Sequence, residues 1–391
     1  MISFADILAP ITPESFFADY HGRRWLHVPG ASSAAGADKF AAVMTRAKLD
    51  SLISAVGLWN PMSLRLVRDR SPLATQDYCG PDDKIVPEKL KSLLANGASL
   101  VLNDLDLQAP GLDGVSAVAR ALEEILEAKV QANLYSSPRE RQAFDSHYDG
   151  HDVYAVHVEG EKLWRIYEGK IELPIEHPAF KSQFADAHEK TKGKVVAEVL
   201  MKPGDLLYLP RGQYHDAIAQ SERTTHIAYG AVGVIGMDVI SALYTRAVHE
   251  GLFRADMPRR HGQGPDSGVA GFNARVAQIG QRLAELAKED DVIKALHQFQ
   301  DEYRYRANQP EMRFTKTADD FAVVSKAGHW LLMRGGKGAP IPPGLDRPVA
   351  WIIARESFSA TEMAQAFPAL LAEARGELLR SLSAMKVITA V

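Results

Sequence analysis

The sequence predicts an α+β protein whose core is a double-stranded β-helix, the barrel also called a jelly roll or cupin. From about residue 130 to residue 232, short segments rich in β-branched and aromatic residues alternate with Gly, Pro and Asp. Many short strands at this spacing are typical of a sandwich or a small barrel. The flanking segments place apolar residues at helical spacing, which predicts helical parts on both sides of the barrel. The predicted strands are QANLYSS, DVYAVHV, EKLWRIYE, KVVAEVLM, DLLYLP and THIAYGAV.

The N-terminal part, before residue 130, is predicted to contain helices with short strands. Thr12 followed by Pro13 predicts a helix start, because the hydroxyl caps free amides and proline fills a position that needs no donor. We expect a second helix from Ala37 to about Ala55 and a third from about Gly114 to Ala128. This helical part and the barrel together form the first predicted domain, residues 1–235.

Two further parts follow the barrel. Residues 236–308 regain the helical period and carry apolar faces. Such faces either close a core within one chain or pair two chains, and the spacing alone leaves both arrangements open. Residues 309–391 mix short strands with helices, which indicates a winged-helix-like module. Its ten Lys and Arg residues against eight Asp and Glu residues after position 310 do not support nucleic-acid binding.

The composition is that of a globular protein of 391 residues, enough for two or three domains. Hydrophobic residues make up 46% of the chain, and the formal net charge of -4 argues against a broad surface for phosphate backbones. The single cysteine, Cys79, excludes a disulfide within the chain. The first residues lack the pattern of a secretory signal, and no run of about 18 apolar residues predicts a membrane span. We therefore expect a cytoplasmic protein.

A candidate metal site combines His147 and Asp149 with His215, which follows the segment PGDLLYLPRGQY. Residues two apart on a strand point to the same face, so the imidazole and the carboxylate are expected to converge. His215, from a distant strand of the same barrel, completes a set of two histidines and one carboxylate. That set leaves three adjacent coordination positions open, as in non-haem Fe(II) oxygenases.

The His-x-Asp pair alone is weak evidence, because a chain with 13 histidines contains such a triplet about once by chance. The context of His215 strengthens it: a Pro-Gly-Asp turn, the apolar strand LLYLP and an Arg-Gly turn predict the closing hairpin of a double-stranded β-helix. The alternative is a group of buried structural histidines. His151, His157 and His226 are interpreted in that way, or as residues that orient the ligands.

Lys162 is a second kind of candidate site residue. After the turn at Gly160, Lys162 and Trp164 fall on one face of the predicted strand EKLWRIYE. A lysine that faces a barrel interior is costly unless an anion meets it. A dicarboxylate that also chelates the metal would supply that anion. The alternative is a surface lysine on an edge strand.

The segment NLYSSPRERQAFDSHYDGHDVYAVHVEGEKLWRIYE, followed by PGDLLYLPRGQYHDA, resembles the ribosomal oxygenase group of JmjC-domain hydroxylases. In that group an Asn-x-Tyr strand precedes the His-x-Asp pair, as Asn133 and Tyr135 do here. A basic residue then follows the Glu-Gly turn, as Lys162 does. The resemblance covers about residues 130–232, and the flanking parts agree with the group in layout only.

This resemblance implies a JmjC catalytic domain that binds Fe(II), uses 2-oxoglutarate as cosubstrate and consumes O2. It also implies hydroxylation of an arginine or histidine side chain of a ribosomal protein. Residues 236–308 would then be a helical dimerisation domain in a homodimer. Asn133, Tyr135 and Lys162 are expected to contact the cosubstrate, and the hydroxyl of Thr225, or that of Thr224, is expected to donate to its carboxylate.

Two other functions remain open. A cupin-type metalloenzyme that binds Mn, Ni or Zn and acts on a small molecule would share the barrel and the ligands but would not need 2-oxoglutarate. A non-enzymatic binding protein would use the barrel as a scaffold and bind no metal. Lys162 argues against both functions if it faces inward, because neither requires an anion at that position.

Overall fold

The computed structural model describes residues 2–68, 70–81, 83–108, 112–138, 145–175, 177, 180, 185–261, 264, 267–303, 313–326, 328–359, 362–363, 366–367, 370 and 372–390. The chain forms two compact units. The first comprises Met1–Leu122, Val130–Ala231 and Gln309–Val391, and the second comprises Glu123–Lys129 and Val232–Asn308.

Two sheets build the centre of the first unit. The larger has eight strands in the order β1-β9-β6-β11-β5-β4-β2-β3, and the smaller has three in the order β10-β7-β8. The strands are β1 (Leu26–Val28), β2 (Leu64–Arg68), β3 (Ser71–Pro72), β4 (Ser99–Leu102), β5 (Ala128–Pro138), β6 (Asp152–Glu159), β7 (Lys162–Lys170), β8 (Val195–Met201), β9 (Leu206–Leu209), β10 (Gln213–Ala219) and β11 (Arg223–Gly233).

An apolar core joins these two sheets. Alternating side chains of β6 and β9 from the larger sheet pack against those of β7 and β8 from the smaller one, because every second residue of a strand faces the same side. The buried members of this core are Val153, Ala155, Trp164, Ile166, Val199, Met201, Leu207 and Leu209. Two facing sheets with this strand order form a double-stranded β-helix, so the predicted barrel and the mixed α+β class are confirmed.

The larger sheet extends beyond the predicted core of residues 130–232. β1 pairs with β9, and β4 pairs with β5 while β2 pairs with β4. Four short strands of the N-terminal part therefore lengthen the barrel wall. Their sequence signal is weak because each strand has five residues or fewer.

Helices of the N-terminal part alternate with these strands along the chain. Thr12 caps α2, since its hydroxyl accepts a hydrogen bond from the Ser15 amide at 3.2 Å. The helix expected from Gly114 to Ala128 is confirmed as α6. The helices before β8 are α1 (Phe4–Leu8), α2 (Pro13–Asp19), α3 (Arg46–Ser54), α4 (Pro87–Ala95), α5 (Leu105–Gln108), α6 (Asp113–Leu126) and α7 (Ala185–Lys192).

The prediction of one continuous helix from Ala37 to Ala55 is wrong. A 3-10 helix spans Gly36–Phe40, and α3 starts only at residue 46. Thr45 has an extended backbone, and its hydroxyl accepts a hydrogen bond from the Lys48 amide, which starts a new helix. The local capping preference of threonine thus outweighs the apolar spacing that suggested continuity.

The second unit is helical. Its helices are α8 (Gly236–Ala247), α9 (Gly251–Arg254), α10 (Gly268–Leu286) and α11 (Asp290–Tyr303). Arg282 of α10 contacts Glu250 at 2.7 Å and Glu289 at 2.8 Å, and Arg246 of α8 contacts Glu289 at 3.2 Å. This network links the helices within the unit. None of the helices in the described part of the chain is long and apolar enough to cross a membrane.

The C-terminal part of the first unit has its own apolar core, which includes Phe314, Ile352, Phe358 and Leu382. Its strands form two small sheets in the orders β16-β12-β17 and β13-β14-β15. The elements are β12 (Arg313–Lys316), β13 (Ala322–Lys326), β14 (His329–Arg334), β15 (Lys337–Pro340), α12 (Asp346–Ile353), β16 (Ser357–Ser359), α13 (Ala372–Ala384) and β17 (Ile388–Ala390). The winged-helix-like interpretation of this part stays a prediction.

Candidate metal centre and cavity

The three predicted ligands converge on one point. One ligand atom from each of His147, Asp149 and His215 lies within 4.8 Å of the other two. The sequence interpretation put His147 and Asp149 on a strand, whereas the structure places them in the irregular segment before β6. A single antiparallel bridge replaces the strand: the amide of each histidine donates to the carbonyl of the other, at 3.0 and 2.8 Å. This bridge brings the two rings to 4.5 Å between centroids.

The turn at Gly212 holds Asp149. The Gly212 amide donates to the Asp149 carbonyl at 2.8 Å, and the Asp149 carboxylate lies 3.7 Å from Nε2 of His215. Gly212 has a φ of +85°, and a Cβ built on it would lie 1.9 Å from the Ile171 carbonyl oxygen. Only glycine fits this conformation and this close approach, so the turn fixes the backbone that carries the carboxylate.

Gly212→Ala is expected to destabilise the fold by about 2 kcal/mol or more and to weaken metal binding. The added methyl group must displace the backbone that holds Asp149. Thermal unfolding of the metal-free protein and cobalt titration would measure the two effects. Gly233→Ala is the matched control, because a Cβ at Gly233 meets nothing within 4 Å. Equal stability and equal cobalt affinity in both variants would contradict this role of the turn.

Backbone carbonyls orient both imidazoles. Nδ1 of His147 lies 2.8 Å from the Asp145 carbonyl oxygen, and Nδ1 of His215 lies 3.0 Å from the Gln213 carbonyl oxygen. A carbonyl only accepts hydrogen bonds, so each Nδ1 carries the proton and donates it. Nε2 of each ring is therefore the nitrogen that remains to bind a metal when the ring is neutral.

The protonation states also fit a divalent metal. Burial, together with the nearby His147, lowers the pKa of His215 to about 4, so its imidazole is neutral near pH 7. Burial opposes ionisation of Asp149, but the rings of His147, His215 and His151 together hold its pKa below the ordinary value. Neutral imidazoles beside a carboxylate are the forms that coordinate metal ions.

These residues line a cavity of about 400 Å³. Lys162, Asn133 and Tyr135 line the same cavity as the three candidate ligands. A cavity of this size admits a small organic ligand together with one side chain of a larger molecule. The candidate metal ligands and the basic residue predicted from the sequence thus line one cavity.

Lys162 is a buried cation, with 4% of its surface exposed. Its Nζ lies 3.4 Å from Nδ1 of His226, and within the described part of the chain Lys162 forms no ion pair with an acidic side chain. Burial lowers the pKa of Lys162 to about 7. The surface alternative for this lysine is excluded, and its ammonium is suited to a bound anion.

Lys162 is expected to make the stability of the metal-free protein depend on pH. Its pKa is about 7 in the folded chain and near 10.5 when unfolded, so the unfolded chain binds one more proton between these values. The free energy of unfolding should therefore rise by about 1.4 kcal/mol per pH unit between pH 7 and pH 10, relative to Lys162→Met. Urea unfolding of both proteins at several pH values measures the difference. A difference that stays constant with pH would contradict the lowered pKa.

The other residues that were predicted to contact the cosubstrate do not all lie at the cavity. The Asn133 side-chain oxygen accepts a hydrogen bond from the Asp104 amide at 3.0 Å, and Tyr135 stacks on His226 at 5.0 Å between ring centroids. The Thr225 hydroxyl donates to Glu159 at 2.9 Å and lies outside the cavity lining. Thr224 lies 3.3 Å from His157 instead. The structure therefore brings Asn133 and Tyr135 to the cavity, but neither threonine.

Comparison with known families agrees with this geometry. Residues 115–235 match the family model described as the JmjC domain. The chain contains a JmjC domain. That match includes all three candidate metal ligands as well as Asn133, Tyr135 and Lys162.

Two relatives similar to this chain carry the name of a demethylase and hydroxylase. A bifunctional lysine-specific demethylase and histidyl-hydroxylase NO66 from Drosophila persimilis is 28% identical over 233 residues, which cover 59% of this chain and 31% of that relative. The same protein from Aedes aegypti is 27% identical over 214 residues, 55% of this chain and 32% of that relative. This chain thus spans about a third of the length of these two relatives.

A solved structure matches nearly the whole chain. The X-ray structure of E. coli YcfD, also described as a ribosomal oxygenase, covers 97% of this chain and 98% of its own, with a TM-score of 0.53 and 13% sequence identity. At that identity the likeness establishes a shared fold. The matched region includes the parts that flank the JmjC domain.

Several cavity residues, His226 among them, escaped the sequence interpretation as site residues. Arg65 and Arg70 line the cavity although they precede the JmjC domain, and Arg70 contacts Asp145 at 2.9 Å. His151 also lines it and packs against Gly230, where a Cβ would lie 2.9 Å from the ring. The spacing of two residues between Asp149 and His151 was a usable signal for the histidine. Nothing in the local sequence marks the arginines, which reach the cavity because β2 joins the larger sheet.

Proposed function

We propose that this protein is an Fe(II)- and 2-oxoglutarate-dependent oxygenase that hydroxylates an arginine or histidine side chain of a ribosomal protein. One observation carries the proposal: two imidazoles and a carboxylate share a cavity with a buried lysine that has no acidic partner among the residues described. The first group suits a divalent metal with open positions, and the second suits the far carboxylate of a dicarboxylate.

In this proposal His147, Asp149 and His215 hold Fe(II), and Lys162 pairs with the cosubstrate carboxylate that does not reach the metal. Asn133 and Tyr135 contact the cosubstrate. When bound, iron with 2-oxoglutarate supplies the oxidising chemistry, in which one atom of O2 becomes the substrate hydroxyl, the other enters succinate, and CO2 is released. The part played by the chain is to orient both molecules and to keep water from the site.

The residues at the cavity favour histidine over arginine as the target. Among the described residues that line it, Asp149 carries the one carboxylate, and that carboxylate is assigned to the metal. Arg65 and Arg70 add positive charge to the lining, which disfavours a guanidinium. A neutral imidazole can instead accept a hydrogen bond from a guanidinium. The histidyl-hydroxylase activity in the name of the NO66 relatives is consistent with this preference.

Ribosomes from a strain that lacks this protein provide the test. They would be incubated with the enzyme, Fe(II), 2-oxoglutarate and O2, and the ribosomal proteins then compared by intact mass and peptide fragmentation. The proposal predicts one added oxygen, located on a histidine, and none with Asp149→Ala. An oxygen on arginine would overturn the histidine preference alone. Failure to turn over 2-oxoglutarate with any ribosomal protein would overturn the proposed activity.

We also propose that residues 236–308 pair two chains into a homodimer. On α8, Met237, Ile240 and Tyr244 have 53%, 57% and 72% of their surface exposed and lie at helical spacing on one face. Large apolar side chains grouped in this way are typical of a protein interface. Light scattering should give twice the chain mass, and Ile240→Glu with Tyr244→Glu should give monomers. A monomeric wild-type protein would contradict the proposal.

The remaining assignments are also proposals. Residues 1–235 are the catalytic domain, and residues 309–391 are a winged-helix-like domain with no role in binding nucleic acid. Its two small sheets and separate apolar core support a distinct module within the first compact unit. A cytoplasmic location fits a substrate that belongs to the ribosome.

A further inference from the structure

His226 is the residue that contacts the buried lysine. It lies on β11 with 3% of its surface exposed, it lines the cavity, and its Nδ1 is 3.4 Å from the Nζ of Lys162. Two aromatic rings fix the imidazole. Tyr135 stacks on it with an interplanar angle of 11°, and Trp164 meets it edge-on at 5.3 Å and 80°.

The imidazole of His226 is a neutral acceptor. Burial is the main cause that lowers the pKa of His226 well below its ordinary value, and the neighbouring Lys162 ammonium is the second. His157 lies parallel to His226 at 6.4 Å, and burial lowers its pKa to about 4. Two neutral rings, one on β11 and one on β6, therefore lie near the ammonium. A neutral Nδ1 accepts a hydrogen bond from an ammonium, whereas an imidazolium at this position would repel it.

The ammonium keeps two of its three N–H donors for other partners when His226 accepts one. A lysine side chain has four rotatable bonds, so an unsupported ammonium samples many positions. A fixed acceptor limits those positions. A carboxylate at the same place would neutralise the positive charge, whereas a neutral imidazole leaves it in place.

We infer that His226 is a positioning residue for the dicarboxylate cosubstrate, because its Nδ1 holds the Lys162 ammonium in the orientation that binds the far carboxylate. This inference rests on the proposed function and adds a residue to its binding site. The side chain acts through Lys162 and not on the metal. Affinity for the dicarboxylate should therefore depend on His226, while metal affinity should not.

The test compares His226→Phe with His226→Asn in the full-length protein. Phenylalanine keeps the stacking on Tyr135 but removes the acceptor, and asparagine restores an acceptor oxygen. Binding of 2-oxoglutarate to the Zn(II)-loaded protein is measured by calorimetry, and KM and kcat are measured with Fe(II). We expect about tenfold weaker binding and about tenfold higher KM in the phenylalanine variant. The kcat at saturation should stay within about twofold of wild type, and asparagine should recover most of the affinity.

A double-mutant cycle separates positioning from general damage. In a Lys162→Met background, His226→Phe should cause no further loss of 2-oxoglutarate affinity, because the group that it positions is gone. Equal losses in both backgrounds, or a fall in kcat with unchanged KM, would overturn the inference. A folded wild-type protein that binds metal but not 2-oxoglutarate would overturn the proposed function instead. Circular dichroism checks that the variants fold. If the phenylalanine variant does not fold, the asparagine variant still tests whether an acceptor oxygen at this position preserves 2-oxoglutarate affinity.

Discussion

Asp149→Ala is expected to weaken Fe(II) or Co(II) binding by more than about 100-fold and to abolish turnover of 2-oxoglutarate. Loss of a group that merely orients a metal ligand already costs roughly 10- to 100-fold in affinity, and loss of the carboxylate itself costs more. The carboxylate also compensates the positive charge of the metal in a site whose other proposed ligands are neutral. Metal content after gel filtration and cobalt titration in the visible range measure the effect.

Asp145→Asn is the matched control for Asp149→Ala. Its carboxylate is 73% exposed and contacts Arg70, while its backbone carbonyl, which accepts from His147, is unchanged by the substitution. Metal affinity should stay near that of wild type, because exposed ion pairs contribute little. Wild-type metal affinity and activity in Asp149→Ala would rule out this residue as a ligand.

Lys162→Met is expected to raise the KM for 2-oxoglutarate by about 10- to 100-fold while leaving metal affinity unchanged. A hydrogen bond to a charged group contributes about 1.5–3 kcal/mol, which corresponds to this range. The same substitution should stabilise the metal-free protein near pH 7, because methionine fills the buried position without an uncompensated charge. Steady-state kinetics and urea unfolding measure the two opposite effects.

A lysine elsewhere on the barrel gives the control for Lys162→Met. Lys202 is 58% exposed and contacts Glu161, so Lys202→Met should change neither the KM nor the stability by much. An unchanged KM for 2-oxoglutarate in Lys162→Met would mean that this ammonium does not bind the cosubstrate. Loss of metal binding in the same variant would mean that the two parts of the site are not independent.

The sequence predicted the barrel well because its strands are long enough to show a pattern. β6 has eight residues and β7 has nine, and their apolar side chains meet in one core. The candidate ligands were also predictable, although for a partly incorrect reason. His147 and Asp149 converge with His215 through one antiparallel bridge and the Gly212 turn, and not through the alternation of a regular strand.

Local sequence was insufficient where register decides the direction of a side chain. The pairing of β11 with β6 shifts between Thr225 and His226. The extra residue lies on β6, so β11 keeps its alternation, and Thr225 and His226 point to opposite faces. Thr225 therefore bonds to Glu159 outside the cavity lining, whereas His226 faces the cavity. The sequence alone does not show which of these two faces points into the cavity, so the prediction named the threonine and treated the histidine as structural or ligand-orienting.

Long-range pairing explains the other omissions. Arg65 lies on β2, which reaches the cavity wall only because β4 pairs with β5 and extends the larger sheet. No local pattern predicts which distant strand joins a sheet edge. The electrostatic character of the cavity, on which the preference for histidine over arginine rests, is therefore a property of the folded chain.

An anaerobic visible spectrum tests the central claim most directly. Metal-free protein would be mixed with Fe(II), and 2-oxoglutarate then added in the absence of O2 and of any protein substrate. Direct chelation of iron by the 2-oxo acid should produce a new charge-transfer band that is absent without the cosubstrate and lost in His215→Ala. A folded protein that binds iron but gives no such band would contradict the oxygenase assignment and favour a cupin-type metalloenzyme. A wild-type protein that binds no iron would contradict the metal site itself.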